Sequence, residues 1–396
     1  LEEREEAMMP GPLMIGWWHG RFGKLEVDLQ QLLCDAVVGA LGDAGLGAEE
    51  VDGIFVGVFG NGFQRQRFEA GLVGMGLPDL AATPAVRVEN ACATGSAAIF
   101  AALDFIAAGR GRIAVAVGAE KMTAIPANEV SDILQSASYL PEEGGIPGGF
   151  AGVFGRIAES YFQRHGDCSA ELAMIAAKNH ANAVLNPFAH LRKDLGLDFC
   201  NTVSDRNPRV AGPLRRTDCS LISDGAAAVV IAAPEVAMSA RRAIGFRARG
   251  QVNDAMALSR RDPTEFAGAR AVWQRVLTEA GMVIGDLDMV ETHDCFTIAE
   301  LIEYEAMGLA PPGQGARAIR EGITQRDGRL PVNPSGGLKA RGHPIGATGV
   351  SQHVMAAMQL AGEAGEMQLR DISVAGVFNM GGAAVANYAA ILERVA

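Results

Sequence analysis

The chain is 396 residues long, more than one ordinary core needs, so two packed units or one large α/β assembly is expected. A formal net charge of −12 and the lack of any long basic run exclude a nucleic-acid groove, so an anionic ligand must meet a local cluster of cations. With 49 glycines and 49% hydrophobic residues but only 6% aromatic ones, disorder is excluded and close packing of small side chains is expected.

Taken in order, Leu1 to Ala7 is charged rather than signal-like, and Met8 or Met9 reads as a natural start. Pro12 to Trp18 predicts a first strand, Leu25 to Leu46 carries helical spacing through Leu29, Leu32, Leu33, Val37 and Leu41, and Val51 to Val58 predicts a second strand. Ala85 to Val88 is an extended run that passes through Glu89-Asn90-Ala91-Cys92 into a small-residue helix marked by Ala98, Ala101, Ala102, Phe105 and Ile106. From about Ala119 to Asp218 the pattern breaks, with a cluster of prolines and glycines before a helical stretch from Ile157. This reads as an insertion, a common carrier of substrate specificity. Within it Arg206, Arg209, Arg215 and Arg216 face Asp205 and Asp218, as a solvated charged surface or as a seat for a phosphate. No 18-residue apolar run exists, so no membrane span is expected, and Leu392 to Ala396 is not a peroxisomal address.

The order helix, turn with Gly, acidic residue, apolar strand at Leu41–Val56 returns at Leu277–Thr292. Ala85 to Gly109 is echoed by Leu330 to Gly362, and Asp224 to Val229 by Met380 to Val385. Three paired segments in one order predict an internal duplication, with βαβ-rich halves over 1–240 and 241–396 and the insertion, about 119–218, on the first.

The six cysteines (34, 92, 168, 200, 219, 295) make no Cys-x-x-Cys pair, which argues against a metal site or disulfide framework and for reduced thiols in the cytoplasm. Cys92 falls at a predicted helix N-terminus, where the macrodipole and free N–H groups favour thiolate. His293 and Cys295 follow a predicted strand; two residues apart, they share a face if the strand continues that far. Asn333 to Gly349 is a Gly-dense loop in which Pro344 fixes His343 before a helix. Duplication places Cys92 and His343 on equivalent turns and so at one seam. Gly-x-Gly-x-x-Gly, phosphate-loop, Gly-x-Ser-x-Gly and His-Glu-x-x-His motifs are absent. Two thiols and two imidazoles supply a nucleophile, a base for a carbon acid and oxyanion donors without metal or redox cofactor.

These motifs resemble the thiolase family over essentially the whole chain, and more closely its sterol-carrier-protein-type branch. The resemblance rests on Glu89-Asn90-Ala91-Cys92, His293-Asp294-Cys295-Phe296, Gly342-His343-Pro344, Lys178-Asn179-His180-Ala181-Asn182 with Asn186-Pro187-Phe188, and Ser223-Asp224-Gly225-Ala226-Ala227. It implies a five-layered αβαβα fold, a loop domain over the active site, coenzyme A and acyl-CoA thioesters as substrates, no tightly bound cofactor, and a homodimer or a pair of dimers. It further implies that Cys92 takes the acyl group, His343 activates it, His343 and His293 stabilise the enolate oxygen, and Cys295 moves the α-proton. The N–H groups of Cys92 and Gly381 would form the second oxyanion site, and Arg215, Arg216 and Asn379 would bind substrate. Most thiolases carry a second catalytic Cys in a Cys-x-Gly loop where Asn379-Met380-Gly381 stands here; Cys295 supplies the missing thiol. Thr94 stands where Ser is commoner. The rival readings are a ketoacyl-synthase-like condensing enzyme, which needs no thiol at 295, and a catalytically silent thiolase-like scaffold subunit.

Overall fold

The computed structural model describes residues 11–395, so the charged start, Met8, Met9 and Ala396 lie outside the described residues. The first half contributes β1 (Leu13–His19), β2 (Gly53–Gly57), β3 (Ala85–Val88), β4 (Ile113–Glu120) and β7 (Gly225–Ala232); the segment between β4 and β7 carries helices and a two-stranded ribbon, β5 (Arg209–Ala211) and β6 (Leu214–Arg215). The second half contributes β8 (Ile244–Asn253), β9 (Met289–Glu291), β10 (Val374–Gly381) and β11 (Ala386–Arg394).

The strand order is β3-β2-β4-β7-β1-β8-β11-β10-β9, and a single residue pair, Met14 with Ile244, joins the halves. Each half repeats one connectivity. β1 is antiparallel to β7, β7 to β4, and β4 runs parallel to β2 and β2 to β3. Likewise β8 is antiparallel to β11, β11 to β10, and β10 runs parallel to β9. The counterpart of β3 survives as one parallel bridge between Val290 and Val332. The third sequence echo is looser than the others, because Gly225–Ala232 is strand throughout whereas Gly382–Val385 is the turn between β10 and β11.

β4 and β7 are buried at every residue, which is why Ile113-Ala-Val-Ala-Val and Ala226-Ala-Ala-Val-Val-Ile read as unbroken apolar runs. One face of the first half packs the Leu29–Ala44 helix, which Asp28 caps by accepting the Gln31 N–H at 2.9 Å. On the far face of the second half, the equivalent Ala267–Ala280 helix packs with Thr297–Ala306 and part of the insertion. Between the sheets lie the Thr94–Ala107 and Ile345–Ala361 helices, which follow Cys92 and His343. Helix, sheet, paired helices, sheet and helix make five layers. Ile99, Leu103 and Ile106, buried on the Thr94–Ala107 helix, each contribute roughly 2 kcal/mol by leaving water.

The central helices meet with almost no side chain between them. A Cβ on Gly95 would lie 2.6 Å from the Val350 nitrogen, and one on Gly349 would lie 2.3 Å from the Ser96 nitrogen. That contact brings the start of both helices, and the residues ahead of them, to one place.

Candidate active site

Cys92 sits in the turn between β3 and the Thr94–Ala107 helix. Ala91 before it has φ +48°, a left-handed conformation that costs a non-glycine residue about 1 kcal/mol or more. Hydrogen bonds hold the turn: the Glu89 carboxylate accepts the Ala91 N–H (2.6 Å), and the Thr94 hydroxyl accepts the Asn90 N–H (2.9 Å) while donating to the Ala91 carbonyl (2.6 Å). Serine in place of Thr94 would supply the same hydroxyl.

His343 lies ahead of the Ile345–Ala361 helix. Its Nδ1 is 2.6 Å from the Thr348 hydroxyl, which spends its own proton on the Pro344 carbonyl at 2.9 Å. Nδ1 must therefore donate, and Nε2 keeps a lone pair. His293 is at 5.1 Å, edge to face with His343. One ring nitrogen from each histidine and the Cys92 sulfur all lie within 4.8 Å of one another, the one group among the described residues with the makings of a metal site.

His293 and Cys295 reach this place by a route that the strand periodicity did not foresee. β9 ends at Glu291, and 292–295 is irregular, so a shared strand face is not what aligns them. Asp294 holds this loop instead: its carboxylate accepts the N–H groups of Leu338 (2.6 Å) and Lys339 (3.1 Å) and the Asn179 amide (2.7 Å). Gly337, with φ +56°, leaves room for that carboxylate, since a Cβ would fall 2.3 Å from its oxygen. Cys295 is buried and lies two residues beyond His293 on the same irregular segment.

Ionisation departs from the sequence expectation. Burial pushes the Cys92 thiol up to about 12, although the N–H groups of Gly382 and of Cys92 itself hydrogen-bond the sulfur and work the other way. The resting nucleophile is a thiol, not a thiolate. Burial likewise brings His343 down to about 3 and His293 well below the usual imidazole range, with the Arg341 charge helping in both. Cys295 is raised well above an ordinary thiol, mainly by burial. All four groups are neutral at pH 7.

A cavity of about 180 Å³ opens beside His343, lined mainly by apolar side chains of the insertion (Met122, Val130, Leu134, Phe150) and by Phe296. Met122 and Val130 also belong to the small hydrophobic cluster that includes Cys92, so the cavity and the sulfur share apolar neighbours. Larger hollows near Arg326 and near Trp273, about 950 and 580 Å³, hold none of the four groups.

Three sequence expectations are corrected. Arg215 is buried and spent on structure: it chelates Asp218 through Nε (2.8 Å) and Nη2 (3.3 Å) and donates to Ser169 O (2.6 Å) and Asn201 Oδ1 (3.0 Å), so it has no free donor face for a phosphate. Arg216 is exposed and makes no ion pair among the described residues. Asn379 is fully buried and does not line the cavity; it bridges the Cys92 carbonyl and His293. Gly381 packs against the Asn90 carbonyl, and the second N–H at the Cys92 sulfur belongs to its neighbour Gly382.

The sequence reading assigned no role to the groups behind the site. Lys178 pairs with Glu300 in full burial and donates to the Val332 carbonyl (2.9 Å); Asn182 and Asn186 donate to the carbonyls of Asn333 (3.0 Å) and Ser335 (2.8 Å). Arg341 pairs with Glu291 at 2.9 Å. These bonds brace the loop carrying His343, and the polar run Lys178-Asn179-His180-Ala181-Asn182 on an otherwise apolar helix was their sequence signal.

Family models match both halves: thiolase N-terminal domain over residues 17–195 and thiolase C-terminal domain-like over 250–394. An acetyl-CoA acetyltransferase of Methanothermobacter thermautotrophicus is 35% identical over 93% of this chain and 96% of its own. Sterol carrier protein 2 of Bos taurus is 31% identical over 89% of this chain and 66% of its own length. Among solved structures, an Ltp2–ChsH2(DUF35) aldolase superposes with a TM-score of 0.82 over 97% of this chain and 98% of that one, at 21% identity, which speaks for the fold alone.

Proposed function

The chain belongs to the thiolase family and is an acyltransferase, and we propose that it interconverts 3-oxoacyl-CoA plus CoA with acyl-CoA plus acetyl-CoA through an acyl-Cys92 intermediate. The observation that carries this is the meeting of Cys92, His293 and His343 within 4.8 Å, with an apolar cavity opening on His343 and a second thiol, Cys295, two residues from His293.

The chemistry follows from the protonation states. As the Cys92 sulfur bonds to the reacting carbonyl carbon, the 3-oxo carbon in cleavage and the donor thioester carbon in synthesis, its proton passes to His343 Nε2, the lone-pair nitrogen. The carbonyl oxygen takes the negative charge facing the N–H groups that now surround the sulfur, those of Cys92 and Gly382. In cleavage, the carbon–carbon bond breaks and the departing acetyl-CoA enolate is held by His293 and protonated at carbon by the Cys295 thiol. CoA then displaces the acyl group from Cys92. In synthesis CoASH leaves with the proton that His343 Nε2 had taken, the Cys295 thiol passes its proton to that imidazole, the resulting thiolate takes the α-proton, and the enolate carbon attacks the acetyl-Cys92 carbonyl. No step calls for a metal or redox cofactor; coenzyme A is substrate.

The exposed guanidinium of Arg216 stands near enough in sequence to the cavity residues Cys219 and Ser220 to meet a CoA phosphate, the local cation that an acidic chain requires. Edge strand β3, with Val86 49% exposed, supports a homodimer formed across that edge, which sedimentation would read as twice the 41.4 kDa chain mass. Six unpaired cysteines support a reducing, cytoplasmic setting, and no helix among the described residues is long and apolar enough to cross a membrane.

Incubation with acetyl-CoA is expected to add one acetyl group, read by intact mass, and Cys92→Ala to abolish it. An adduct on another cysteine, or none on folded protein, favours the scaffold reading.

A further inference from the structure

Asn379 stands where most thiolases carry their second catalytic cysteine, yet it touches no part of the cavity. Its Nδ2 lies 3.1 Å from the main-chain oxygen of Cys92 and 2.8 Å from Nδ1 of His293. A carbonyl oxygen can only accept, so the first contact fixes which end of the amide is nitrogen. The second N–H of that same NH2 group then points at His293 Nδ1, which must accept it. His293 is thereby forced to carry its proton on Nε2. That Nε2 is buried and has no partner among the described residues, a donor with nothing to donate to until a ligand arrives.

We propose that Asn379 is a positioning residue: its amide, oriented by the Cys92 carbonyl, locks His293 as the Nε2–H tautomer and so makes it a hydrogen-bond donor to the thioester enolate oxygen. The two imidazoles then hold opposite states by construction. Thr348 makes His343 Nε2 an acceptor, and Asn379 makes His293 Nε2 a donor. A second consequence concerns metals. Cys92, His293 and His343 have the residue types and spacing of a three-ligand zinc site, but a protonated Nε2 cannot ligate. Asn379 therefore keeps the cluster free for acid–base work, where a carboxylate at this position would accept from Nδ1–H and turn Nε2 into a ligand, as carboxylates behind zinc-bound histidines do.

This rests on the thiolase reading for its functional half only, and the test separates the two. In wild-type protein labelled with 15N-histidine, NMR is expected to report His293 as Nε2–H; the Nδ1–H form overturns the proposal whatever the enzyme does. In Asn379→Asp, exchange of the acetyl-CoA α-proton is expected to fall about 100- to 1000-fold, the usual cost of one oxyanion donor. A wild-type far-UV circular dichroism spectrum shows that the variant is folded. Co2+, titrated into both proteins and followed by its sulfur charge-transfer absorption, is expected to bind the Asp variant about 10- to 100-fold more tightly. Unchanged exchange together with unchanged Co2+ affinity in Asn379→Asp overturns the proposal. Absence of acetylation in the wild type removes the thiolase reading and leaves the tautomer assignment standing.

Discussion

The protonation state of the free enzyme is open to a direct test. With the Cys92 thiol raised to about 12, the thiolate fraction at pH 7 is about 10⁻⁵, against about 10⁻² for an unburied thiol at the reference value of 9.0. Iodoacetamide, which reacts with thiolate, is therefore expected to alkylate Cys92 about a thousandfold more slowly than an exposed cysteine at pH 7. The rate rises tenfold per pH unit from 7 to 10 without levelling, since each unit of pH multiplies the thiolate by ten while it remains the minor form. Rates are read by mass spectrometry of the Cys92 peptide, with Cys219, itself raised to about 12, as an internal comparison. Acetylation by acetyl-CoA is expected to escape this penalty at pH 7, because the thioester carbon draws the sulfur in while His343 Nε2 takes the proton. His343→Asn accordingly lowers acetylation about 100- to 10,000-fold and leaves alkylation at pH 10 unchanged, where hydroxide does the work. A plateau in the alkylation profile below pH 8 would mean a preformed thiolate–imidazolium pair, and the reasoning from burial would be wrong.

Three further outcomes are expected. Cys295→Ala retains acetylation of Cys92 but loses α-proton exchange and net condensation; unchanged exchange removes Cys295 from the mechanism. Arg216→Ala raises the KM for CoA several-fold at constant kcat, whereas Arg215→Ala, which strands the buried Asp218 carboxylate, lowers the denaturant stability by about 3–5 kcal/mol; an unaltered KM in the first discards the phosphate seat, and an unaltered midpoint in the second discards the structural role. Gly349→Ala sets a methyl 2.3 Å from the Ser96 nitrogen and 2.4 Å from Asn379 Oδ1, so the central helices must part by roughly 1 Å. A loss of about 1–3 kcal/mol and a slower α-proton exchange are expected, and a wild-type midpoint and rate would show that the crossing is slack.

The parts of this fold that were legible in the sequence are those where local pattern and tertiary role coincide. β4 and β7 are unbroken apolar runs because both faces are covered, and the turns before Thr94 and Ile345 announce themselves by a reactive residue followed by small ones. Charge spacing misled at Arg215, because an arginine three residues from an aspartate in the sequence gives no sign of whether it turns inward to chelate it or outward to a ligand. The ionisation of Cys92 was misjudged by magnitude rather than by sign. A helix N-terminus favours an anion by about 0.3–1 kcal/mol, while a rise of three pH units is on the order of 4 kcal/mol against it. Burial wins, and burial is the one property that a turn sequence does not print.

The division of labour across the duplication explains why the catalytic set is asymmetric. Cys92 and His343 occupy equivalent turns, and the Gly95–Gly349 crossing of their helices brings nucleophile and base together as a consequence of the repeat itself. His293 and Cys295 have no counterpart: the equivalent loop of the first half, after β2, presents Val58 and Phe59, whose N–H is taken by Glu120. A duplicated scaffold thus supplies acyl transfer by symmetry, and carbon-acid chemistry had to be added to one half alone. That addition needs a loop held without strand hydrogen bonds, which is why Asp294, Asn179, Lys178 and Glu300 are all buried behind it. On this view the buried polar network is not a general stabiliser but the mounting for two residues, and its loss should disturb exchange at the α-carbon before it disturbs acylation of Cys92.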